Sequence, residues 1–203
     1  MRFGYVAGET CLDFVNTVGW RRSPTRWAER LGSYADLLDW AEGAGLLSSD
    51  RRRRLERLAE AEAEAATTVL VEARGLREAV ARAAEAAAAG RLPAVADLEV
   101  INQVLRRGQA HLLLATTGAE VVWSWRPATP SLDEPLWPVA RSAAELLTSD
   151  RRRRIGVCED DECGWLYLDA SRNRRRRWCS MEDCGSRNKA RRYYRRRRGA
   201  GGA

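Results

Sequence analysis

Two equally spaced pairs of cysteines in the last quarter of this 203-residue chain constrain its fold more than any other feature. Four residues separate Cys158 from Cys163 and Cys179 from Cys184, and fifteen residues separate the two pairs. Each short spacing brings two sulfurs to one metal ion, and Zn²⁺ accepts four thiolates in a tetrahedral arrangement. We therefore predict one structural zinc ion per chain, because four equal thiolates leave no open position for a reacting water.

Three alternatives to zinc stay open from the sequence alone. Disulfide bonds would suit paired cysteines, but the chain shows no secretion signal and a reducing cytosol disfavours them. An iron–sulfur cluster also takes four thiolates, although the spacing differs from that of the usual ferredoxin motifs. Unrelated core cysteines are the third alternative, and Cys11, far from the pairs, stands alone in any case. Zinc is favoured because it accounts for both pairs and for their separation.

The residues around the cysteines indicate a small folded finger. Trp165, Tyr167 and Asp169 alternate with leucines, the period of a strand, so the first pair leads into a short β-hairpin. Ser180 followed by Asp183 has the form of a capping box, which starts a helix where the second pair closes. Each cysteine pair with the loop between its members forms a turn called a zinc knuckle. The order knuckle, hairpin, knuckle and helix is that of a treble-clef-like zinc finger. A unit of about 50 residues with few apolar side chains depends on the metal for its folding free energy.

The chain divides into two predicted domains, and the fold class is α+β. Residues 1–150 predict a mainly helical domain with a β-hairpin, and residues 151–203 form the finger with its basic C-terminal helix or tail. Apolar periodicity and capping residues place helices at 34–47, from about 51 after Ser49 and Asp50, at 69–89, after Asp97, and at 139–147. β-branched and aromatic residues around a Thr-Gly-Ala turn predict hairpin strands at 111–117 and 120–126.

Charge is distributed unevenly between these two parts. Residues 151–203 hold 17 of the 35 basic residues and 7 of the 28 acidic ones, a net charge of +10, which leaves −3 for residues 1–150. Such asymmetry indicates that the tail meets a polyanion. However, 34 of the 35 basic residues are arginine, a bias typical of GC-rich genomes, so arginine runs carry less weight in this chain.

The candidate nucleic-acid-binding residues lie in the loop before Cys179 and on the final helix. Arginine forks to phosphate oxygens or to a guanine edge. The residues are Arg172, Arg174, Arg175, Arg176, Arg177, Arg187, Lys189, Arg191, Arg192 and Arg195. Phosphate attraction is common to double-stranded DNA and to RNA, so an RNA- or ribosome-binding zinc protein is an alternative. A further alternative is a protein-interaction module stabilised by zinc, in which the arginines are exposed to solvent and bind no nucleic acid.

The N-terminal domain offers a candidate small-molecule effector site and a candidate homodimer interface. Asp13, Asn16, Thr17 and Trp20 lie close together in sequence and supply polar groups, although Asn16 and Thr17 are equally suited to cap the first helix. A protein that binds a palindromic site must dimerise, and the helical domain is the expected interface.

We predict that the chain is not an enzyme. His111 is the only histidine and falls in a predicted strand, and the sequence contains no phosphate-binding glycine loop or nucleophile motif. No run of about 18 apolar residues occurs, so no membrane partner is expected. These features predict a cytoplasmic, nucleoid-associated protein.

The segment from Cys158 to Arg198 resembles the CGNR zinc-finger family of bacterial proteins. Besides the cysteines, the resemblance is carried by Asp169, Ser171–Asn173, Arg177–Met181 and Cys184–Arg187. Ser186 departs from the family pattern, in which asparagine occupies this position. Since serine also makes short-range hydrogen bonds to backbone, we expect the fold to persist.

Residues 1–150 resemble the ABATE domain, which is described as a "putative stress-induced transcription regulator" and commonly precedes this finger. Leu12–Thr17, Leu37–Trp40 and the later hairpin carry the resemblance. Together the two resemblances imply a zinc-dependent, DNA-binding transcriptional regulator, in which the finger binds DNA and the N-terminal domain senses a signal or mediates oligomerisation.

Overall fold

The computed structural model describes residues 3–200, in which helices predominate and the strands are short. The helices are α1 Thr10–Val15, α2 Tyr34–Gly43, α3 Ser49–Ala61, α4 Ala63–Ala88, α5 Val95–Gln109, α6 Trp137–Thr148 and α7 Ser186–Ala200. The strands are β1 Val18–Gly19, β2 Ala28–Glu29, β3 Leu112–Thr117, β4 Glu120–Trp125, β5 Ile155–Val157 and β6 Leu166–Leu168. Short 3₁₀ segments at Glu134–Leu136 and Asp150–Arg154 flank α6. The predicted α+β class is confirmed.

Helix α4 forms the centre of the structure, in contact with α1, α2, α3, α5 and α6. Its buried face is rich in alanine, and Ala73, Ala79 and Ala83 are fully buried. Small side chains let the surrounding helices approach closely, so larger residues such as Trp40 and Phe14 fill the core around α4. The rings of these two residues lie 4.7 Å apart, centre to centre.

The three sheets each contain two antiparallel strands: β1 with β2, β3 with β4, and β5 with β6. The β3–β4 hairpin pairs Leu112 with Trp125 and Thr117 with Glu120, and Gly118 adopts a φ of +59° in the turn. This positive φ is the backbone conformation that glycine adopts without strain. The hairpin predicted from the sequence is confirmed.

Several predicted helix boundaries were wrong by a few residues. Helix α3 is capped by the Ser48 side chain, which accepts a hydrogen bond from the Arg51 N–H, instead of by Ser49 or Asp50. Asp97 lies in the first turn of α5 and accepts hydrogen bonds from Arg82 of α4, so it does not cap the helix. Ser49 and Asp97 form hydrogen bonds with residues of neighbouring helices, and Asp50 pairs with Arg53 of the same helix. Capping rules based on local sequence do not take such contacts into account.

Strand β6 pairs with a strand that the sequence analysis did not assign. Its partner β5 precedes Cys158, so the hairpin encloses the first cysteine pair, whereas the sequence predicted that the hairpin would follow it. Ile155, Leu166 and Leu168 are buried in the same hydrophobic cluster as the N-terminal helices. The Leu168 N–H also donates to the Ala7 carbonyl at 2.7 Å. The hairpin of the finger is therefore part of the main core.

Asn16 connects the helical part of the chain to β6. It follows α1 at the C-cap position, and its buried amide donates to the Leu166 carbonyl at 2.8 Å and accepts from the Leu166 N–H at 3.0 Å. Thr17 is also buried and donates to the Phe14 carbonyl at 2.8 Å. Asn16 thus acts as an additional strand partner for β6 and fixes the finger against α1.

We expect Asn16→Ala to lower the free energy of unfolding by about 2–4 kcal/mol, because both backbone groups of Leu166 would lose their partner in a buried site. Urea unfolding of the full chain measures this change. Asn102→Ala, in the half-buried part of α5, is the matched control and should change stability by no more than about 0.5 kcal/mol. Equal midpoints for the two variants would contradict the structural role assigned to Asn16.

Candidate zinc centre

The sulfur atoms of Cys158, Cys163, Cys179 and Cys184 form a compact buried cluster, with all four within 4.8 Å of one another. The Cys163 and Cys179 Sγ atoms are 3.7 Å apart, and those of Cys179 and Cys184 are 3.6 Å apart. Tetrahedral Zn²⁺ with Zn–S bonds of about 2.3 Å separates its sulfurs by about 3.8 Å. The cluster therefore fits one zinc ion, and the four predicted ligands are brought together.

The first knuckle is shaped by backbone hydrogen bonds across the ends of β5 and β6 and within the loop between them. The Cys158 N–H donates to the Trp165 carbonyl at 2.8 Å, and the Cys163 N–H donates to the Asp160 carbonyl at 3.1 Å. Gly164 has a φ of +67°, and a Cβ at this position would lie 2.9 Å from the Arg22 side chain. Both the backbone conformation and the close approach of the 21–22 segment therefore require glycine.

The second knuckle ends in the helical turn Met181–Gly185, which leads directly into α7. Ser180 caps this turn by accepting a hydrogen bond from the Asp183 N–H at 3.2 Å, as the capping pattern predicts. The Ser186 hydroxyl donates to the Met181 carbonyl at 3.0 Å. The residue that replaces the asparagine of the CGNR pattern thus makes the expected short-range hydrogen bond to backbone.

Asp160 links the zinc knuckle to α7, a role that the sequence analysis missed. This fully buried carboxylate accepts hydrogen bonds from Arg187 Nε at 3.2 Å and Asn188 Nδ2 at 2.9 Å. The Arg191 guanidinium lies 3.5 Å from the same oxygen. Arg187 and Arg191 are four positions apart on a helix after the last cysteine, which was a signal that these two side chains face one partner. Nothing in the sequence indicated which acidic residue that partner would be.

Arg187 connects this network to a metal ligand. Its Nη2 atom lies 2.9 Å from the Cys184 sulfur. Burial lowers the pKa of Arg187, but the hydrogen bond to Asp160 and the nearby Cys184 outweigh burial and raise the pKa above its ordinary value. Zn²⁺ with four thiolates carries a net charge of about −2, so a fixed guanidinium beside one sulfur stabilises the complex.

Arg176 and Asp169 shape the loop between the two knuckles. The Arg176 guanidinium donates to the carbonyls of Trp178, Cys179, Leu168 and Val6. Asp169 accepts from the N–H groups of Ser171 at 2.8 Å and Arg176 at 3.0 Å. Arg176 therefore ties the loop to the second knuckle and to the N-terminal segment, and is a structural residue.

The other predicted nucleic-acid-binding residues separate into two groups. Arg187 and Arg191 are half-buried and bound to Asp160, and Arg177 is ion-paired with Glu159. The remaining six are exposed, and within residues 3–200 they form no ion pair; they are Arg172, Arg174, Arg175, Lys189, Arg192 and Arg195. The structure thus leaves a loop group and a helix group of basic side chains facing solvent.

The four residues of the predicted effector site do not surround a common cavity in the described part of the chain. Asn16 and Thr17 are buried in the hydrogen bonds described above. Asp13 accepts from the Ala7 N–H at 2.9 Å, and burial raises the pKa of its carboxyl to about 6. Trp20, by contrast, lines a cavity together with residues of the zinc centre.

Loop residues after Trp20 hold the N-terminal part against the finger. The N–H groups of Arg21 and Arg22 donate to the carbonyls of Cys163 and Glu162 at 2.9 and 3.1 Å. The Glu162 carboxylate accepts from the Ser23 hydroxyl at 2.7 Å, and it also binds Arg191 of α7 at 3.2 Å. The same loop therefore contacts the first knuckle and the basic helix.

A helical domain carrying a four-cysteine zinc finger is the class of protein that this fold and site define. Residues 154–197 match the family model described as the CGNR zinc finger. Residues 8–150 match the model of the ABATE family, described as "Putative stress-induced transcription regulator". The chain belongs to the ABATE family and carries a CGNR zinc finger, as the sequence motifs indicated.

Neither family description names an enzymatic activity. No curated protein matches the chain. Among the described residues, none of the helices combines the length and apolar character that crossing a membrane requires.

We expect Cys163→Ser to abolish zinc binding and to open the segment from about residue 171 to α7 to trypsin, because the metal supplies most of the folding free energy of this segment, whereas β6 lies in the main core. The helices α1–α6 have their own core, so most of the helical circular dichroism should remain. The control is Cys11→Ala, a buried cysteine outside the cluster, which should retain one zinc per chain. A Cys163→Ser protein with unchanged resistance to trypsin would show that zinc does not hold the finger together.

Asp160→Ala should weaken zinc binding by about 10–100-fold, the usual effect of removing a group that orients metal ligands, because Arg187 would lose the carboxylate that places it beside Cys184. Competition with a chromogenic chelator measures the affinity. Asp161→Ala is the matched control, since this neighbouring carboxylate is exposed. Equal zinc affinities for the two variants would refute the role of Asp160.

Proposed function

We propose that this protein is a zinc-dependent, DNA-binding transcription regulator, whose finger and α7 bind double-stranded DNA. The observation that carries the proposal is the set of six exposed basic side chains around the zinc centre, which have no acidic partner among the described residues. Arginine runs alone were weak evidence in this arginine-rich chain. Exposed cations on a rigid metal-stapled frame are stronger evidence, because they attract phosphate without first breaking an internal ion pair.

The internal arginines support this proposal by holding the exposed ones in place. Arg176 fixes the loop that carries Arg174 and Arg175, and Arg187 and Arg191 fix the helix that carries Arg192 and Lys189. Arg174 has a φ of +50°, an unusual conformation for a residue other than glycine. A loop held in this way loses little conformational entropy on binding, so more of the phosphate attraction contributes to affinity.

The preference for DNA rests on the description of the ABATE family as a transcription regulator. In this proposal the helical domain senses a signal or mediates oligomerisation. An open groove of about 610 Å³ between β4 and the connection from α2 to α3 is the candidate effector site, and it is lined by Trp123, Trp125, Arg126 and Arg51 among others. Cavities of this size accommodate small molecules.

Oligomerisation has a candidate surface on the β3–β4 hairpin, which shares Trp123 with the groove. Leu114, Val121 and Trp123 are exposed there, and within the described residues no third strand covers either edge. Exposed apolar strands with free edges favour pairing with another chain. We therefore place a candidate homodimer contact on this hairpin.

The proposal predicts salt-dependent binding of duplex DNA. With about five phosphate contacts, the slope of log affinity against log salt should be near −4 to −5 for the zinc-loaded protein. Chelation should abolish binding, because the loop and α7 are positioned by the metal centre. Fluorescence anisotropy of a labelled duplex, titrated at several salt concentrations, measures both effects.

Arg174→Gln with Arg175→Gln should lower the affinity and reduce the magnitude of the salt slope by about 2, because two phosphate contacts would be lost. The matched control is Arg54→Gln with Arg57→Gln, which removes two exposed arginines from α3. This control should bind as the unmodified protein does. Equal losses in both double variants would show that binding follows net charge alone and would refute the proposed surface.

A further inference from the structure

The connection between β1 and β2 lies against the finger, although it belongs to the helical domain. We call this connection, residues 20–27, the β1–β2 arm. The N–H groups of Arg21 and Arg22 donate to the carbonyls of Cys163 and Glu162 at 2.9 and 3.1 Å. The backbone of the arm is therefore fixed to the first knuckle of the zinc centre.

Ion pairs anchor both ends of the arm to the central helix α4. At the start of the arm, Arg21 binds Glu78 at 2.9 Å. Just after its end, Glu29 binds Arg77 at 2.6 Å, and the Arg77 side chain is only 3% exposed. Ion pairs with a buried member keep their geometry better than pairs between freely solvated side chains. The arm is thus held between the helical domain and the finger.

Two side-chain contacts place the arm directly beside α7. The guanidinium groups of Arg26 and Arg187 lie over the Trp20 ring, 3.4 and 4.4 Å from its centre. One oxygen of the Glu162 carboxylate binds Arg26 of the arm at 3.3 Å and Arg191 of α7 at 3.2 Å. The arm and the first turns of α7 therefore meet at shared partners and present adjoining surfaces to solvent.

Arg22 is the arginine of this junction that has no acidic partner among the described residues. The other four, two from the arm and two from α7, are all in the ion pairs described above. Arg22 is exposed, and the stem of its side chain runs over the first knuckle. A Cβ at Gly164 would lie 2.9 Å from the Arg22 Cγ and 3.3 Å from its Cδ. The finger thus directs an unpaired cation of the helical domain.

We propose that the β1–β2 arm is part of the DNA-binding surface, and that Arg22 contacts a backbone phosphate of a duplex bound along α7. The inference rests on the proposed DNA-binding function and adds a residue of the helical domain to the surface of the finger. An unpaired guanidinium forms hydrogen bonds to phosphate oxygens without first giving up an acidic partner. Because the arm is fixed at both ends and at the knuckle, it loses little conformational entropy on binding.

A phosphate contact from the arm has a defined thermodynamic signature. Contacts to phosphate fix the register and orientation of a protein on DNA but do not read the bases. Each contact also adds about 0.9 to the magnitude of the slope of log affinity against log salt. Loss of the Arg22 contact should therefore weaken binding to duplexes of any sequence equally, and it should do so more strongly at low salt.

The test uses the full-length, zinc-loaded protein and two labelled duplexes of equal length and unrelated sequence. Arg22→Gln should weaken binding to both duplexes by about 5–10-fold at about 0.1 M salt and reduce the magnitude of the salt slope by about 1. Glutamine keeps the backbone N–H that binds Glu162, so the arm should stay attached to the knuckle. Zinc content and resistance to trypsin establish that the variant is folded.

Two further variants separate a phosphate contact from a change in net charge. Arg91→Gln is the matched control, because Arg91 is an exposed arginine of the helical domain, lies in the connection from α4 to α5, and has no ion pair within the described residues. It should bind both duplexes as the unmodified protein does. Arg22→Lys keeps a cation at the same place and should restore the salt slope.

The outcomes distinguish this inference from the proposed function. Duplex binding by the unmodified protein, with equal affinities and slopes for Arg22→Gln and Arg91→Gln, would overturn the arm contact and leave the proposed function standing. A slope that Arg22→Lys fails to restore would also overturn the contact. Absence of duplex binding by the unmodified protein at low salt would refute the proposed function and the arm contact together.

Discussion

The tetrahedral arrangement of four thiolates is the constraint on which the rest of the finger depends. It fixes the conformation of both zinc knuckles, and each knuckle then orients a part of the structure that has few other contacts to hold it. The first places Asp160 under α7, and the second begins the turn from which α7 grows. Through Arg187, the helix in turn presents a positive charge to a metal-binding sulfur. The metal site and the basic helix α7 therefore stabilise each other.

The arginines of the tail perform two different tasks, which only their partners distinguish. Arg176 satisfies backbone carbonyls of the loop and of the N-terminal segment, and Arg187 and Arg191 neutralise Asp160 inside the structure. Arg174 and Arg175 face solvent on a loop that these interactions hold. The net charge of the tail therefore overstates the charge available to a ligand, because part of it is consumed in the folding of the finger.

The sequence predicted those features that depend on short spacing. Each cysteine pair, the Ser180 cap and the turn of the β3–β4 hairpin depend on residues within a few positions of one another, and the zinc ligands, the cap and the hairpin are confirmed. Contacts between distant segments were not predictable in this way. The pairing of Asn16 with Leu166 and the contact of Asp160 with α7 depend on how separate elements pack. The sequence analysis therefore assigned Asn16 to a candidate effector site and did not single out Asp160.

The sharing of Ile155, Leu166 and Leu168 with the N-terminal core has a consequence for the evolution of such chains. The two family models end and begin around residue 150, as though the finger were an interchangeable module. A finger joined to a foreign partner would leave this apolar strand face in water and the Leu166 backbone without the Asn16 amide. A finger transplanted at that boundary would therefore be stable only on a chain that already carries a complementary surface.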